Sequence, residues 1–188
     1  MIQTAYNPTE SPYVTYWTHD NLNTLKSVFA TLTLAPKIGL WTPALTMELR
    51  RQWLTLQTDY GRHTMHSPLL TAAFTNEFNL SKGWLAEANF HFRSKGNERN
   101  VSYVKCSWTS DLSLSKSFLD DRLFVKVEGD DLLHGLREAT RLYDKHTMRL
   151  QDLTYNSRKV IVTLCYSFNM THRPFLGREA GGAEKSRF

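Results

Sequence analysis

Hydrophobic and polar residues alternate along most of the chain. In residues 40–54, one face of an extended chain would carry large apolar groups: Trp41, Leu45, Met47, Leu49 and Trp53. The opposite face would carry polar groups: Thr42, Thr46, Glu48, Arg50 and Gln52. A period of two residues is that of a β-strand whose two faces meet different surroundings. No segment shows a clear period of 3.6 residues, so the sequence predicts an all-β fold, with residues 130–146 as loop.

The alternating segments predict about seven strands of an antiparallel up-and-down meander, at residues 22–35, 40–54, 69–81, 84–94, 100–118, 122–131 and 157–169. Their connections alternate in length. Tight turns are predicted at 36–39, 81–83 and 119–122, and longer connections at 57–68, 93–100 and 131–157. Short turns at one end and long loops at the other are typical of outer-membrane barrels. We interpret 132–157 as the last extracellular hairpin, which could extend its flanking strands above the membrane.

The strand faces alone leave open a soluble lipocalin-like barrel, whose apolar face points inward. Strands of ten or more residues are long enough to cross a bilayer when tilted. The polar faces also carry large groups suited to a wet lumen: Glu48, Arg50, Glu87, His91, Lys105 and Asp111. We therefore expect those six to point toward a barrel axis. We expect these apolar residues to point away from it: Val28, Leu32, Leu45, Met47, Leu49, Phe90, Val104, Leu112, Val162 and Leu164.

Five aromatic residues favour the membrane interpretation. Trp41 and Trp84 follow short turns, and Phe118 precedes one. Trp53 and Trp108 lie near the opposite ends of their strands. Aromatic belts at both interfaces anchor membrane barrels, so these five are predicted as interfacial aromatics.

Composition narrows the class of protein. The chain has 188 residues and a formal charge of +5, without the basic clusters and exposed aromatics of a single-strand nucleic-acid binder. Its two cysteines, Cys106 and Cys165, fall on faces of opposite character, which argues against a disulfide and against a metal site. No run of about 18 apolar residues predicts a membrane helix, and residues 1–10 lack the features of a signal peptide.

Enzyme chemistry finds little support in the sequence. His63 and His66 have no nearby carboxylate except Asp59 and are predicted to lie in a solvated loop rather than a metal site. The paired aspartates at 120–121 and 130–131 lie beside turns, where aspartate is a common turn former. No catalytic triad, phosphate loop or CxxC motif is present. We predict no catalytic residue, cofactor or metal.

The C-terminal third carries an ordered series of motifs. Asp121 and Arg122 lie in a turn, Gly129-Asp130-Asp131-Leu132 ends the next strand, and the last strand runs from Arg158 to Tyr166 and Phe168. This series resembles the end of the barrel of TonB-dependent receptors, in their outer membrane β-barrel family, although Asp130 replaces the family's usual Asn. The resemblance extends over nearly the whole chain. It implies that Tyr166 and Phe168 form the signal recognised by the barrel-assembly machinery.

The resemblance implies a segment of a barrel of about 22 strands. Residues 1–169 would be its C-terminal part, and residues 170–188 a polar periplasmic tail. Seven spans are an odd number, so we expect a fragment without signal peptide, plug or N-terminal strands, and therefore a sheet with two open edges.

The expected function is to form the wall and extracellular loops of a receptor in the bacterial outer membrane that imports an iron chelate or glycan. Its partners would be outer-membrane lipid, the assembly machinery, the remainder of the receptor and, through the plug, TonB. Nucleic acid is not an expected partner. A small structural or adhesive membrane barrel and a soluble lipocalin-like barrel that binds an apolar ligand remain alternatives.

Overall fold

The computed structural model describes residues 24–168 in full and residues 2–6 and 16–20 as backbone strands. The strands are β1 (Ile2–Tyr6), β2 (Tyr16–Asp20), β3 (Lys26–Leu34), β4 (Trp41–Thr58), β5 (Gly61–Met65), β6 (Leu69–Asn79), β7 (Trp84–Arg93), β8 (Gly96–Glu98), β9 (Val101–Tyr103), β10 (Ser107–Phe118), β11 (Leu123–Asp130), β12 (Arg137–Tyr143), β13 (Met148–Thr154) and β14 (Lys159–Tyr166). One 3₁₀ turn covers Ser81–Gly83. The all-β prediction is confirmed. Within these residues, no helix has the length and apolar character needed to cross a membrane.

Seven strands form the main sheet in the order β14-β11-β10-β7-β6-β4-β3, and β5 pairs separately with β4. Each long strand pairs antiparallel with the next long strand of the chain, which is the predicted meander. Each predicted span overlaps one of these strands, although β4 continues to Thr58, beyond the predicted end at residue 54. In the part of the chain that the structure describes, no strand covers the outer edge of β3 or β14, so the sheet is open with two edges, as expected.

The register aligns the predicted faces across the whole sheet. Directly paired residues point to the same side, and one rung of such pairs runs Leu32–Met47–Ala72–Phe92–Trp108. The neighbouring rung runs Thr31–Glu48–Thr71–Arg93–Ser107. We name the surface of the first rung the apolar face and that of the second the polar face. The register therefore confirms that one side of the sheet is apolar and the other polar.

Within the described residues, most of the apolar face has no protein cover. Val28 is 63% exposed, Val162 is 61% exposed and Leu164 is 70% exposed. Among the described residues, the buried hydrophobic side chains are few and belong to the upper part of β4 and to the segments beside it: Leu54, Leu56, Met65, Leu69 and Ala139. The apolar face of the main sheet is therefore not part of a hydrophobic core within the described residues.

Short and long connections alternate as predicted. The tight turn between β10 and β11 closes with a hydrogen bond of 3.2 Å from the Arg122 amide to the Leu119 carbonyl. Residues 119–122 connect the paired Phe118 and Leu123, and Leu119, Asp120 and Asp121 have φ values of 55°, 51° and 63°. Positive φ is uncommon for residues with a Cβ, and aspartate tolerates it better than most of them.

The long connections contain a second sheet that the sequence did not predict. Its strand order is β13-β12-β9-β8, so it joins the connection between β7 and β10 with the connection between β11 and β14. The prediction that 132–157 could extend the flanking strands was wrong, because β12 pairs with β9 and β13 instead of extending β11. The prediction of loop at 130–146 was also wrong, since β12 occupies Arg137–Tyr143.

The predicted span 100–118 is interrupted. β9 covers Val101–Tyr103 and β10 begins at Ser107, because β9 leaves the wall to pair with β12. The face predictions for Val104 and Lys105 therefore fail. The Lys105 ammonium does not reach the polar face but lies 2.6 Å from the Asp152 carboxylate on β13.

The two ends of the chain remain to be compared with the prediction. Residues before 22 were not predicted to contain strands, yet β1 pairs antiparallel with β2. The predicted tail at 170–188 and the end of the last span at residue 169 lie outside the described residues.

Candidate functional site: the polar face and the loop layer

Charged side chains of the polar face are paired with one another. On β7, β10 and β11, the Glu87 carboxylate accepts a hydrogen bond of 2.6 Å from Ser113 and lies 3.5 Å from the Lys126 ammonium. Lys126 also lies 2.8 Å from Glu128. Unpaired charges are costly beside an apolar environment, whereas paired charges at a wet surface are tolerated. The arrangement suits the water-filled side of a membrane wall.

The two faces of β4 exchange their character along the strand. From residue 42 to residue 50 the polar face carries Glu48 and Arg50, but above them it carries Leu54 and Leu56, which are 0% and 2% exposed. On the other face, apolar residues such as Leu49 give way after Trp53 to Thr55 and Gln57. The exchange occurs at residues 51–53.

This exchange fixes a boundary. Trp41 and Trp53 lie twelve residues apart on β4, which corresponds to ~40 Å along an antiparallel strand. A tilt of ~45° reduces that length to ~28 Å along the membrane normal, close to the ~25 Å apolar band of outer-membrane barrels. We therefore interpret residues 51–53 as the level at which β4 leaves the membrane on the side of the long connections.

Above this level the long connections form what we call the loop layer: β5, β8, β9, β12, β13 and the end of β4. Leu54, Leu56 and Met65 form its buried cluster, and Tyr143 of β12 packs against it. The tips are joined as well, because the Asp59 amide donates to the Lys145 carbonyl at 2.9 Å. The loop layer thus has the hydrophobic core that the main sheet lacks.

A group of charged and aromatic residues connects the polar face to the loop layer. The Arg50 guanidinium lies 2.8 Å from Glu48 on its own strand and 3.0 Å from Glu98 on β8. The Tyr103 hydroxyl donates to the other Glu98 oxygen at 3.3 Å, and the Arg93 guanidinium stacks 4.0 Å from the Tyr103 ring centre. Burial, followed by the negative charge of Glu98, raises the pKa of Tyr103, so this phenol stays neutral.

A cavity of about 400 Å³ lies on the polar face below this group. Two adjacent polar rungs of β3, β4, β6, β7 and β10 contribute its hydroxyl, carboxylate and imidazole groups, among them Thr46, Glu48, Thr71, His91 and Thr109. Such a lining can hydrogen-bond a hydrated or hydroxylated ligand. Among the described residues, no group of three or more potential metal ligands is present.

The three aromatics predicted beside short turns lie together at that end of the sheet. The Lys116 ammonium lies 4.8 Å from the Trp84 ring centre and 4.6 Å from that of Phe118. Trp41 stacks parallel on Phe78 with ring centres 6.1 Å apart. An aromatic ring with a cation beside it suits a boundary between lipid and water.

The two aromatics predicted for the opposite rim differ from each other. Trp53 is 42% exposed, with the Arg51 guanidinium 5.3 Å from its ring centre. Trp108 instead packs on protein: its ring lies against Gly135, at a distance that leaves no room for a Cβ, and 6.0 Å from the Phe90 ring. The anchoring role of all five aromatics stays a prediction.

Tyr166 and Phe168 lie at the end of the last strand, on an open edge. Their rings meet edge to face with centres 4.6 Å apart, and Phe168 is 82% exposed. The Ser167 amide between them donates to the Arg122 carbonyl at 2.8 Å, which ties this end to the last short turn. Their role as an assembly signal also stays a prediction.

Residues of the resembling motif have structural roles that the sequence did not reveal. Asp131 is 2% exposed, and its carboxylate accepts hydrogen bonds from the Gly135 and Leu136 amides and from the Ser157 hydroxyl. Burial alone would raise the pKa of Asp131, but these hydrogen bonds outweigh it and hold the pKa below its ordinary value. An Asp before a Gly-containing turn was the available signal.

One histidine of the loop predicted at 57–68, His63, contacts another long connection, and Asp59 of the same loop contacts His146. The His63 ring lies 4.9 Å from the Tyr143 ring, and the His146 Nδ1 atom lies 3.0 Å from the Asp59 carboxylate. These contacts join the tip of the β4–β5 hairpin to that of β12–β13. The sequence paired none of these residues, because each pair is separated by about eighty positions.

Comparison with known proteins gives one match. Residues 1–166 match the model of the outer membrane protein beta-barrel family. No curated protein and no solved structure matches the chain.

Proposed function

Because this chain belongs to the outer membrane protein beta-barrel family, we propose that its main sheet is part of the wall of a TonB-dependent receptor that imports a nutrient, such as an iron chelate or a glycan. Its loop layer would meet the substrate outside the cell. The apolar face would contact outer-membrane lipid. The polar face would contact the lumen and the plug, through which TonB acts.

The main support for a large receptor is that the sheet combines two open edges with one continuous apolar face. Unpaired backbone groups of an edge strand cost several kcal/mol each in lipid. The outer edges of β3 and β14 therefore require further strands, which a large barrel supplies. This argument supports a large receptor over a small structural or adhesive barrel.

The exposure of the apolar face argues against a lipocalin-like carrier. Such a carrier encloses its apolar face, whereas Val160 is 71% exposed here and Leu164 is 70% exposed. On the opposite side, Glu87 and Lys126 form the paired charges expected at a wet lumen. We propose binding and transport rather than catalysis, with no cofactor, metal or nucleic acid involved.

The lengths of the connections support one orientation. The short turns would face the periplasm and the loop layer the outside, so Tyr166 and Phe168 would lie at the periplasmic rim, where the assembly machinery would bind them. The polar tail after residue 169 would be periplasmic.

Growth under limitation tests the proposed import. A strain without the gene is compared with its parent and with a complemented strain on single iron chelates and single glycans as limiting nutrients. We expect loss of growth on one of them, and the same loss when TonB is removed. Equal growth of all strains on every nutrient would reject import.

A further inference from the structure

The segment Ser94–Asn100, which we name the strap, is bound to the wall by its backbone. At its start, the Ser94 amide donates to the Leu70 carbonyl at 2.8 Å, and the Leu70 amide donates to the Ser94 hydroxyl at 2.9 Å. At its middle, the Asn97 amide donates to the Ser67 carbonyl at 3.1 Å, and the Ser67 amide donates to the Asn97 side chain at 2.8 Å.

Glycine allows the strap to approach the wall. A Cβ at Gly96 would collide with the Pro68 carbonyl and the Leu69 Cα, both of which are backbone atoms. Leu69 lies on the polar face and is 4% exposed. The strap therefore covers the upper end of the polar face at β6.

A glutamine on β4 holds the other end of the strap. The Gln52 side chain donates to the Arg99 carbonyl at 2.7 Å and accepts from the Arg99 amide at 2.6 Å. Gln52 is 2% exposed. Arg99 has a φ of 51°, a conformation that costs free energy for a residue with a Cβ and persists only when its surroundings fix it. Gln52 supplies that fixation through both of the backbone groups of Arg99.

The docked strap also pairs with a positive charge of the wall. Glu98 binds Arg50 at 3.0 Å and accepts a hydrogen bond from the hydroxyl of Tyr103 on β9, whose ring centre lies 4.0 Å from the guanidinium of Arg93. Arg93 and Glu48, the other partner of Arg50, line the cavity of the polar face. Movement of the strap away from the wall would separate Glu98 from Arg50 and from the Tyr103 hydroxyl at the edge of the cavity.

We propose that the strap is a latch. While it is docked, Gln52 and Glu98 hold β8 against the polar face, and Glu98 neutralises Arg50. Undocking moves Ser94–Arg99 and breaks the pairing of β8 with β9. Asn100 stays bonded to Tyr143, which anchors β12 on the cluster of Leu54, Leu56 and Met65. The latch leaves the Arg50 guanidinium without Glu98 while β12 and β13 stay folded. This inference concerns the chain's own geometry, so it stands or fails independently of import.

The rate of trypsin cleavage measures undocking, because trypsin cleaves after Lys95 and Arg99, which are both exposed. The full protein in isolated outer membranes is treated with trypsin, and the products are identified by mass spectrometry. Lys105, which lies in an irregular segment, provides an internal reference. In the wild type we expect cleavage after Lys95 and Arg99 to be ~tenfold or more slower than after Lys105.

Gln52→Leu removes both hydrogen bonds of the latch while keeping a side chain of similar size. We expect ~tenfold or more faster cleavage in the strap. Gln57→Leu makes the same chemical change at an exposed position of β4 and should leave the cleavage rate unchanged. Glu98→Gln removes only the ion pair with Arg50 and should give a smaller acceleration. If Gln52→Leu does not assemble into a heat-modifiable barrel, the cleavage rate of Glu98→Gln alone tests the latch.

Hydrogen exchange then distinguishes a latch from general loosening. In Gln52→Leu, or in Glu98→Gln if that variant decides, amides of the strap should exchange faster while those of β12 and β13 stay protected. Three results would overturn the proposal. They are strap cleavage in the wild type as fast as at Lys105, a deciding variant indistinguishable from Gln57→Leu, and loss of protection in β12 together with the strap.

Discussion

Substitution of Leu54 by alanine tests whether the loop layer has a core separate from the membrane wall. Leu54 is 0% exposed and packs with Leu56, Met65 and Tyr143. Truncation of a buried leucine costs ~2–5 kcal/mol, and a small cluster that can partly collapse suggests roughly 3 kcal/mol. That cost corresponds to opening of the loop layer on the order of 100-fold more frequently.

Hydrogen exchange by mass spectrometry measures that opening. In Leu54→Ala, peptides from β5 and β12 should exchange on the order of 100-fold faster, while β7 and β10 keep their protection. Leu49→Ala is the matched control, since it makes the same change on the same strand at the apolar face. It should leave exchange in the loop layer unaltered. Equal acceleration in both variants, or none in β12 of Leu54→Ala, would refute a separate core.

Two further predictions concern the ends of the last strands. Replacement of both Tyr166 and Phe168 by Ala should reduce heat-modifiable barrel in outer-membrane fractions more than Trp53→Ala does, and equal assembly would show that this strand end is not a signal. Asp131→Asn should loosen the turn before β12, seen as faster exchange there at neutral pH. Since the pKa of Asp131 is depressed in the folded state, its carboxylate should stabilise the turn fully above the unfolded pKa near 3.8, and this stabilisation should be lost as the pH falls below that value. Hydrogen exchange in the turn, corrected for intrinsic rates, is measured from pH 6 to pH 3. Exchange that does not change over this range would contradict the prediction.

The sequence predicted the wall well because membrane strands have a simple pattern. Residues 45–49 alternate strictly, as expected for a strand with one face toward lipid and the other toward water. The same rule failed at β12, where Glu138, Thr140 and Leu142 alternate with Ala139, Arg141 and Tyr143. Neither set is purely apolar, because the surroundings of one face change along the strand. Ala139 is buried by protein, whereas Arg141 on the same face is exposed.

The contacts of the strap could not be predicted from a local pattern. Gln52 and Arg99 are separated by 47 positions, and glutamine on the polar face of a strand is ordinary. Lys105 was assigned to the polar face by alternation alone, but the strand breaks at residues 104–106 so that β9 can pair with β12. Pairing between loops depends on register and packing, which a single sequence does not show.

The central claim is that β4 crosses a membrane and leaves it at residues 51–53, where its two faces exchange character. A spin-label scan of positions 45–57 in outer-membrane vesicles tests it, after the exposed Cys106 and Cys165 are replaced by serine. At positions 45, 47 and 49 the label should be accessible to oxygen dissolved in lipid, and at 46, 48 and 50 to a water-soluble nickel complex. Beyond residue 53 the label should meet the nickel complex at 55 and 57 and neither reagent at 54 and 56. Access of the nickel complex to 45, 47 and 49, or an unbroken alternation through residue 57, would contradict the claim.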